Sequence, residues 1–134
     1  MSDARPSQPT AGELAILDVL WDRGSSTVRQ VHETLRREGK ITTGYTTVLK
    51  LMQIMARKGW VERDESERSH VYRPAVSQQR AQRGLVGDLI DRAFSGSTTA
   101  LVLRALSAKP VNAEELGEIR RFLDEQERGR RSES

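Results

Sequence analysis

A polar stripe in the segment "GYTTVLKLMQIMARKGWV" (44–61) offers chemistry suited to a nucleic acid. Thr46, Lys50, Gln53 and Arg57 recur at helical spacing, opposite an apolar stripe. Lys and Arg neutralise phosphates, whereas Thr and Gln can reach base edges or methyl groups. From 39 to 61 the chain has four basic residues and no acidic one, so a basic patch can form although the net charge is only +3.

We predict that most of the DNA-contacting side chains lie on this helix and that one lies at the tip of the hairpin that follows it. Tyr45 either hydrogen-bonds a phosphate or covers the edge of the core. A solvated helix face is the plain alternative for an isolated helix, and the adjoining hairpin favours the DNA interpretation. The predicted DNA-binding set is Thr43, Tyr45, Thr46, Thr47, Lys50, Gln53, Arg57 and Arg68.

Three helices are predicted to position the stripe. Thr10 and Glu13 fit a capping box for a helix at about 11–23, which Gly24 ends. Ser26 or Thr27 caps a second helix at about 27–38. The third helix begins near Thr43 or Gly44 and ends at Gly59, and its apolar face packs against the first two helices. That apolar face consists of Val48, Leu51, Met52 and Met55.

A short charged hairpin is predicted to follow the third helix. Residues 60–63 and 70–73 alternate with the period of a β-strand, and Pro74 ends the second strand. Three helices followed by a hairpin form a winged helix-turn-helix. In this interpretation the third helix enters the major groove. Arg68 at the wing tip either reaches the minor groove or is a plain turn residue, since Asp64, Glu65 and Glu67 repel phosphates.

The rest of the chain is predicted to be helical and to form a homodimer. Capping signals start helices at 78 and 113, and a short, very apolar helix lies between them at 99–108. The apolar faces of these helices are too wide for three short helices to cover alone. We expect a disordered arm (1–9), a winged-helix domain (10–76), a helical dimerisation domain (77–126) and a disordered tail (127–134). The predicted dimerisation residues are Leu85, Leu89, Phe94, Leu101, Leu103, Leu106, Ile119 and Phe122.

Composition argues against several other classes of protein. The chain has no Cys, which removes disulfides, thiolate metal sites and a cysteine nucleophile. The two histidines, His32 and His70, form no convincing triad with a Ser and an Asp, and no glycine-rich phosphate loop is present. We therefore predict no catalytic site, no metal and no cofactor. The N-terminus lacks a signal peptide and no apolar run could insert into a membrane, so we expect a cytoplasmic protein.

The ordered set of segments resembles the penicillinase-repressor family of bacterial transcription regulators, of the BlaI/MecI type with copper-responsive members. The resemblance covers roughly residues 9–126. It is carried by "ELAILDVLW" (13–21), "TVRQVHETL" (27–35), "GYTTVLKLMQIMARKGWV" (44–61), "HVYRPAV" (70–76) and "FSGSTTALVLRAL" (94–106).

The resemblance implies a mainly α homodimeric repressor, with a winged helix-turn-helix and a C-terminal three-helix dimerisation region, that binds an inverted-repeat operator in double-stranded DNA. In one branch of the family, a membrane-bound sensor metalloprotease triggers cleavage at an Asn-Phe pair, for which this chain has Arg104-Ala105. Copper-responsive members use C-terminal cysteines that this chain lacks. The rival hypothesis is a winged-helix module that binds proteins without sequence-specific DNA binding.

Overall fold

A computed structural model describes residues 8–40, 44–66 and 68–133 of the protein. The described residues form a mainly helical fold with a small antiparallel sheet, as predicted. In chain order the elements are α1 (Ala11–Arg23), β1 (Ser26–Thr27), α2 (Val28–Arg37), α3 (Tyr45–Lys58), β2 (Val61–Asp64), β3 (Val71–Pro74), α4 (Gln78–Ala93), α5 (Thr98–Ala108) and α6 (Ala113–Glu133).

The predicted helix boundaries are largely confirmed because local hydrogen bonds set them. Thr10 and Glu13 form the capping box of α1, and Thr27 forms one with Gln30 at α2, which decides between the two candidate caps. Gly59 ends α3 in the left-handed conformation with φ of 87°. Glycine adopts this conformation without a steric penalty.

The three-stranded sheet has the order β1-β3-β2, so β3 lies in the centre. The hairpin pairs Arg63 with Tyr72 and Glu62 with Arg73. Strand β1 was not predicted, because two residues are too few to show an alternating pattern. It pairs Ser26 with Tyr72 and thereby fixes the start of α2 beside the wing.

The chain divides into two compact units between Asp88 and Leu89, within α4. The predicted boundary lies before this helix, at 76/77. The first turns of α4 belong to the first unit because Ala81 is buried there and Trp21 Nε1 donates a 2.9 Å hydrogen bond to the Val76 carbonyl. The core of the first unit consists of Ile16, Leu17, Val19, Leu20, Val28, Val31, Leu35, Val48, Met52, Met55, Trp60, Val61 and Tyr72.

The second unit contains the end of α4 together with α5 and α6. Ser97 caps α5, and Asn112 forms the predicted capping box with Glu115 at the start of α6. The predicted disordered tail differs from the structure, since α6 continues through Glu133. An i,i+4 ion pair between Glu127 and Arg131 supports the added turns. Of the predicted arm, residues 1–7 lie outside the described residues, as does Ser134 at the other end.

Candidate nucleic-acid interface

The face of α3 that points away from the core carries the predicted polar stripe. Thr46, Lys50, Gln53 and Arg57 are exposed, and so is Thr47. The opposite face is anchored by Val48, Met52 and Met55, each with 0% exposure, and by the half-buried Leu51. From Thr46 to Arg57 the stripe extends over about 16 Å at 1.5 Å per residue, a length that can lie along a major groove.

The N-terminal end of α3 is held by packing instead of a side-chain cap. Gly44 is the N-cap and makes no side-chain hydrogen bond. Tyr45 follows with 44% of its surface exposed, and its ring meets that of His32 edge to face, with centroids 6.2 Å apart. Tyr45 therefore both touches α2 and presents its outer surface to solvent. Thr43 lies outside the described residues.

The four basic residues between 39 and 61 are not equivalent in the folded protein. Lys58 Nζ lies 3.0 Å from a Glu13 carboxylate oxygen, and Lys40 lies 3.6 Å from Glu38. Among the described residues, Lys50 and Arg57 make no ion pair. Within the described part of the chain, the positive charge of α3 that no carboxylate neutralises is therefore carried by Lys50 and Arg57.

The Glu13 carboxylate joins α1 to the end of α3. It is 1% exposed and accepts hydrogen bonds from the Thr10 backbone N–H at 2.8 Å and from Lys58 Nζ at 3.0 and 3.3 Å. Burial raises the pKa of Glu13, but the hydrogen bond from Thr10 and then Lys58 outweigh it, so the net pKa is lowered. Glu13 is thus held as a carboxylate that fixes α3 against α1.

Several acidic residues of the wing contact arginines or a backbone N–H group of the wing itself. Glu65 pairs with Arg63, and Glu62 pairs with Arg73 at 2.7 Å. Asp64 accepts a 2.9 Å hydrogen bond from the Ser66 N–H, and this bond is the main reason that its pKa is lowered. Arg68 is exposed. The repulsion of phosphates expected from the wing sequence is therefore reduced at Glu62 and Glu65.

A concave surface, which we call the wing groove, lies between the first turn of α2, the outer face of α3 and the wing. Its volume is about 440 Å³. It brings together two predicted residues of α3 (Tyr45 and Gln53) and the predicted wing residue (Arg68). It also contains cationic and polar residues that the sequence interpretation missed. The described residues that line it are Thr27, Val28, Arg29, Tyr45, Leu49, Gln53, Arg63, Arg68, Ser69, His70 and Tyr72.

Two of the missed residues left a recognisable signal in the sequence. Arg29 is an exposed residue in the first turn of α2, two positions after the Thr27 cap. Arg63 lies on the same side of β2 as Val61, because side chains alternate along a strand. Val61 is buried, so this side faces the protein, and an arginine there has to emerge beside α3.

The predicted dimerisation residues remain partly or largely exposed. Leu85 is half-buried and lies in the first unit. In the second unit, Leu103 is 65% exposed, Phe122 51% and Leu89 47%. Among residues 89–132 no side chain is buried. The half-buried predicted residues of this unit are Phe94, Leu101, Leu106 and Ile119.

The described residues include neither a metal-binding cluster nor a membrane-spanning helix. Within 8–40, 44–66 and 68–133, no group of three or more His, Cys, Asp or Glu side chains is placed to hold a metal ion. In the same part of the chain, no helix is both long and apolar enough to span a membrane.

Three N-terminal helices, a β-hairpin wing and an exposed polar face on the third helix define a winged helix-turn-helix protein. Residues 9–125 match the family model described as penicillinase repressor. The chain is also 36% identical over 119 residues to the "Transcriptional regulator BlaI" of Mycobacterium tuberculosis, in both strain CDC 1551 / Oshkosh and strain ATCC 25618 / H37Rv. Each match covers 87% of this chain and 83% of the relative. The chain belongs to the penicillinase repressor family of transcriptional regulators.

Proposed function

We propose that the protein is a homodimeric transcriptional repressor that binds an inverted-repeat operator in double-stranded DNA and occludes a promoter. The observation that carries this proposal is the two-sided character of α3. One side is locked into the core by side chains with 0% exposure, and the other presents Thr46, Lys50 and Gln53 to solvent. A rigidly held helix with a polar outer face can enter a major groove without rearrangement.

The proposed contacts divide by chemistry. Lys50 and Arg57 neutralise phosphates, because neither makes an ion pair within the described residues. Thr46, Thr47 and Gln53 read base edges or thymine methyl groups, to which neutral polar side chains are suited. Tyr45 contributes a contact at the start of the helix, and Arg68 reaches the minor groove. Thr43 remains a prediction from the sequence.

The second unit is proposed to join two copies of the chain. Leu103, Phe122 and Leu123 are each more than half exposed. Full burial of such a side chain is worth roughly 1.5–3 kcal/mol, so covering the exposed half gains about 1 kcal/mol each. A symmetric partner would provide this burial several times over, since each contact occurs twice in a twofold interface. Such a dimer presents two α3 helices to two half-sites.

Repression in this proposal requires no chemistry by the protein, because a bound dimer excludes other proteins from the promoter. Because chromosomal DNA lies in the bacterial cytoplasm, we expect such a repressor to act there. A membrane sensor metalloprotease remains a proposed partner from the family resemblance alone. Arg104 and Ala105, which replace the family's Asn-Phe pair, both lie exposed in α5.

Binding-site selection from random duplex DNA tests the proposal. We expect an inverted repeat to be enriched. Lys50→Ala should then weaken binding to all duplexes and reduce the salt slope by about 0.9 for each phosphate that Lys50 neutralises. Lys109→Ala is the matched control, since it removes the same charge from an exposed position in the second unit. Failure to enrich any sequence, with the intact protein retaining its fold, would favour the protein-interaction module instead.

A further inference from the structure

An ion pair on the inner face of the wing lies next to the proposed DNA surface. Arg63 is in β2, and its guanidinium pairs with Glu65, the first residue after the strand. The pair is accessible, with side-chain exposures of 37% for Arg63 and 55% for Glu65. A second pair, Glu62 with Arg73, lies on the outer face of the same hairpin.

Arg63 is central among the residues proposed to contact DNA. It lines the wing groove together with Gln53 and Arg68. It also lines an adjoining hollow together with Gln53, Ala56, Arg57 and Glu65. Arg63 therefore shares one hollow with Arg68 and the adjoining hollow with Arg57, so a phosphate bound in either hollow would lie beside Arg63.

The charge of Arg63 is permanent, so only its partner can change. The Tyr72 side chain, and after it Glu65, raise the pKa of Arg63 above its usual value. A carboxylate and a phosphate present similar pairs of acceptor oxygens to a guanidinium, which can bind either through two parallel hydrogen bonds. Glu65 thus occupies Arg63 with the same type of group that a DNA backbone would offer.

We propose that Arg63 is a further phosphate-binding residue of this protein and that Glu65 holds its guanidinium in the DNA-free state. This inference rests on the proposed function. When DNA enters the wing groove, a phosphate replaces the Glu65 carboxylate at Arg63, and Glu65 turns to solvent. The ion pair keeps the arginine ordered beside α3, and it also lowers affinity because it must break before the phosphate binds.

The outer ion pair provides matched controls for the test. Arg63→Gln should weaken binding to any duplex and reduce the slope of log affinity against log salt concentration by about 0.9 for each winged-helix domain. Arg73→Gln should leave this slope unchanged. Glu65→Gln should increase the affinity for DNA by about two- to five-fold for each winged-helix domain, which is the effect expected from losing one exposed ion pair. Glu62→Gln, with the same change in charge, should have a smaller effect.

A double variant separates competition for Arg63 from simple repulsion of DNA. If Glu65 competes with phosphate, the gain from Glu65→Gln shrinks in the Arg63→Gln background. An equal gain in both backgrounds would overturn the inference, as would equal losses from Arg63→Gln and Arg73→Gln. Arg63→Lys should retain most of the salt slope but bind with reduced affinity. The positive charge remains, but lysine lacks the planar guanidinium that donates two parallel hydrogen bonds.

The outcomes also distinguish the inference from the proposed function. Absence of DNA binding by the intact wild-type protein would refute the proposed function. Wild-type binding that depends on Lys50 but is insensitive to Arg63 and Glu65 would leave the proposed function in place and refute only the role of Arg63.

Discussion

The ion pair between the buried Glu13 carboxylate and Lys58 is predicted to hold α3 in position against α1. Replacing Lys58 with Met removes the ammonium but leaves a carboxylate that is 1% exposed. Removing one partner of a fully buried pair costs about 3–5 kcal/mol. Lys58 is 34% exposed on its side chain, so water screens the pair and the expected loss is smaller, about 2 kcal/mol.

The opposite substitution should cost less. In Glu13→Gln the amide oxygen can still accept the hydrogen bond from the Thr10 N–H, and Lys58 can turn towards solvent. We expect a loss of about 1 kcal/mol, because no charge is left buried. The double variant should be more stable than the sum of the single losses implies, with a coupling energy of about 1 kcal/mol.

The pH dependence gives an independent test of the same pair. The pKa of Glu13 is lowered in the folded protein, so its ionised form stabilises the fold. This contribution is fully present above the pKa of the unfolded chain and is lost as the pH falls through the folded pKa. Glu13→Gln should lose this part of the acid dependence, while remaining acid-sensitive through other carboxylates.

Urea unfolding of the four proteins, followed by circular dichroism at several pH values, measures both effects. Equal losses for Lys58→Met and Glu13→Gln would contradict the reasoning, because the buried carboxylate would then have no special cost. An unchanged pH profile in Glu13→Gln would show that the carboxylate is not stabilised by its contacts in solution.

Two further predictions concern DNA reading and assembly. Thr46→Ala should alter base preference in a selection experiment at a cost of about 1–3 kcal/mol, and a uniform loss over all sequences would make Thr46 a positioning residue instead. Leu103→Asp should dissociate the proposed dimer and abolish the dependence of binding on half-site spacing, since Leu103 is 65% exposed and a charge there opposes burial. Sedimentation equilibrium measures the assembly, and an unchanged mass would place the interface elsewhere. Ser107→Asp, an exposed position near the end of the same helix, is the control.

The elements that could be predicted from sequence are those whose boundaries depend on neighbouring residues. The capping boxes at Thr10 and Thr27 and the left-handed Gly59 each act within one helical turn. The two faces of α3 follow from a period that is visible in the sequence. Strand β1 could not be found in this way, because its two residues form a strand only by pairing with β3, which is distant along the chain.

The division of the chain was also set by distant contacts. A proline and a serine at 74 and 77 mark a plausible boundary, and a helix does begin there. However, the hydrogen bond from Trp21 to Val76 and the burial of Ala81 attach the start of that helix to the first unit. Helix α6 was predicted too short because its last turns lack apolar residues, yet the Glu127–Arg131 pair suits a helix in solvent.

The distribution of charge at the interface also depends on contacts between residues that are distant along the chain. A count along 39–61 assigns four positive charges to the DNA surface, but Lys58 is neutralised by Glu13, which lies 45 residues away in the chain. The acidic wing, in turn, suggests repulsion, although Arg63 and Arg73 neutralise two of its carboxylates. The positive charge that α3 offers to DNA is therefore lower than a linear count indicates, and so is the negative charge that the wing presents. The wing groove combines Arg29 from α2 with Arg63 and Arg68 from the hairpin, and this convergence is visible only in the folded chain.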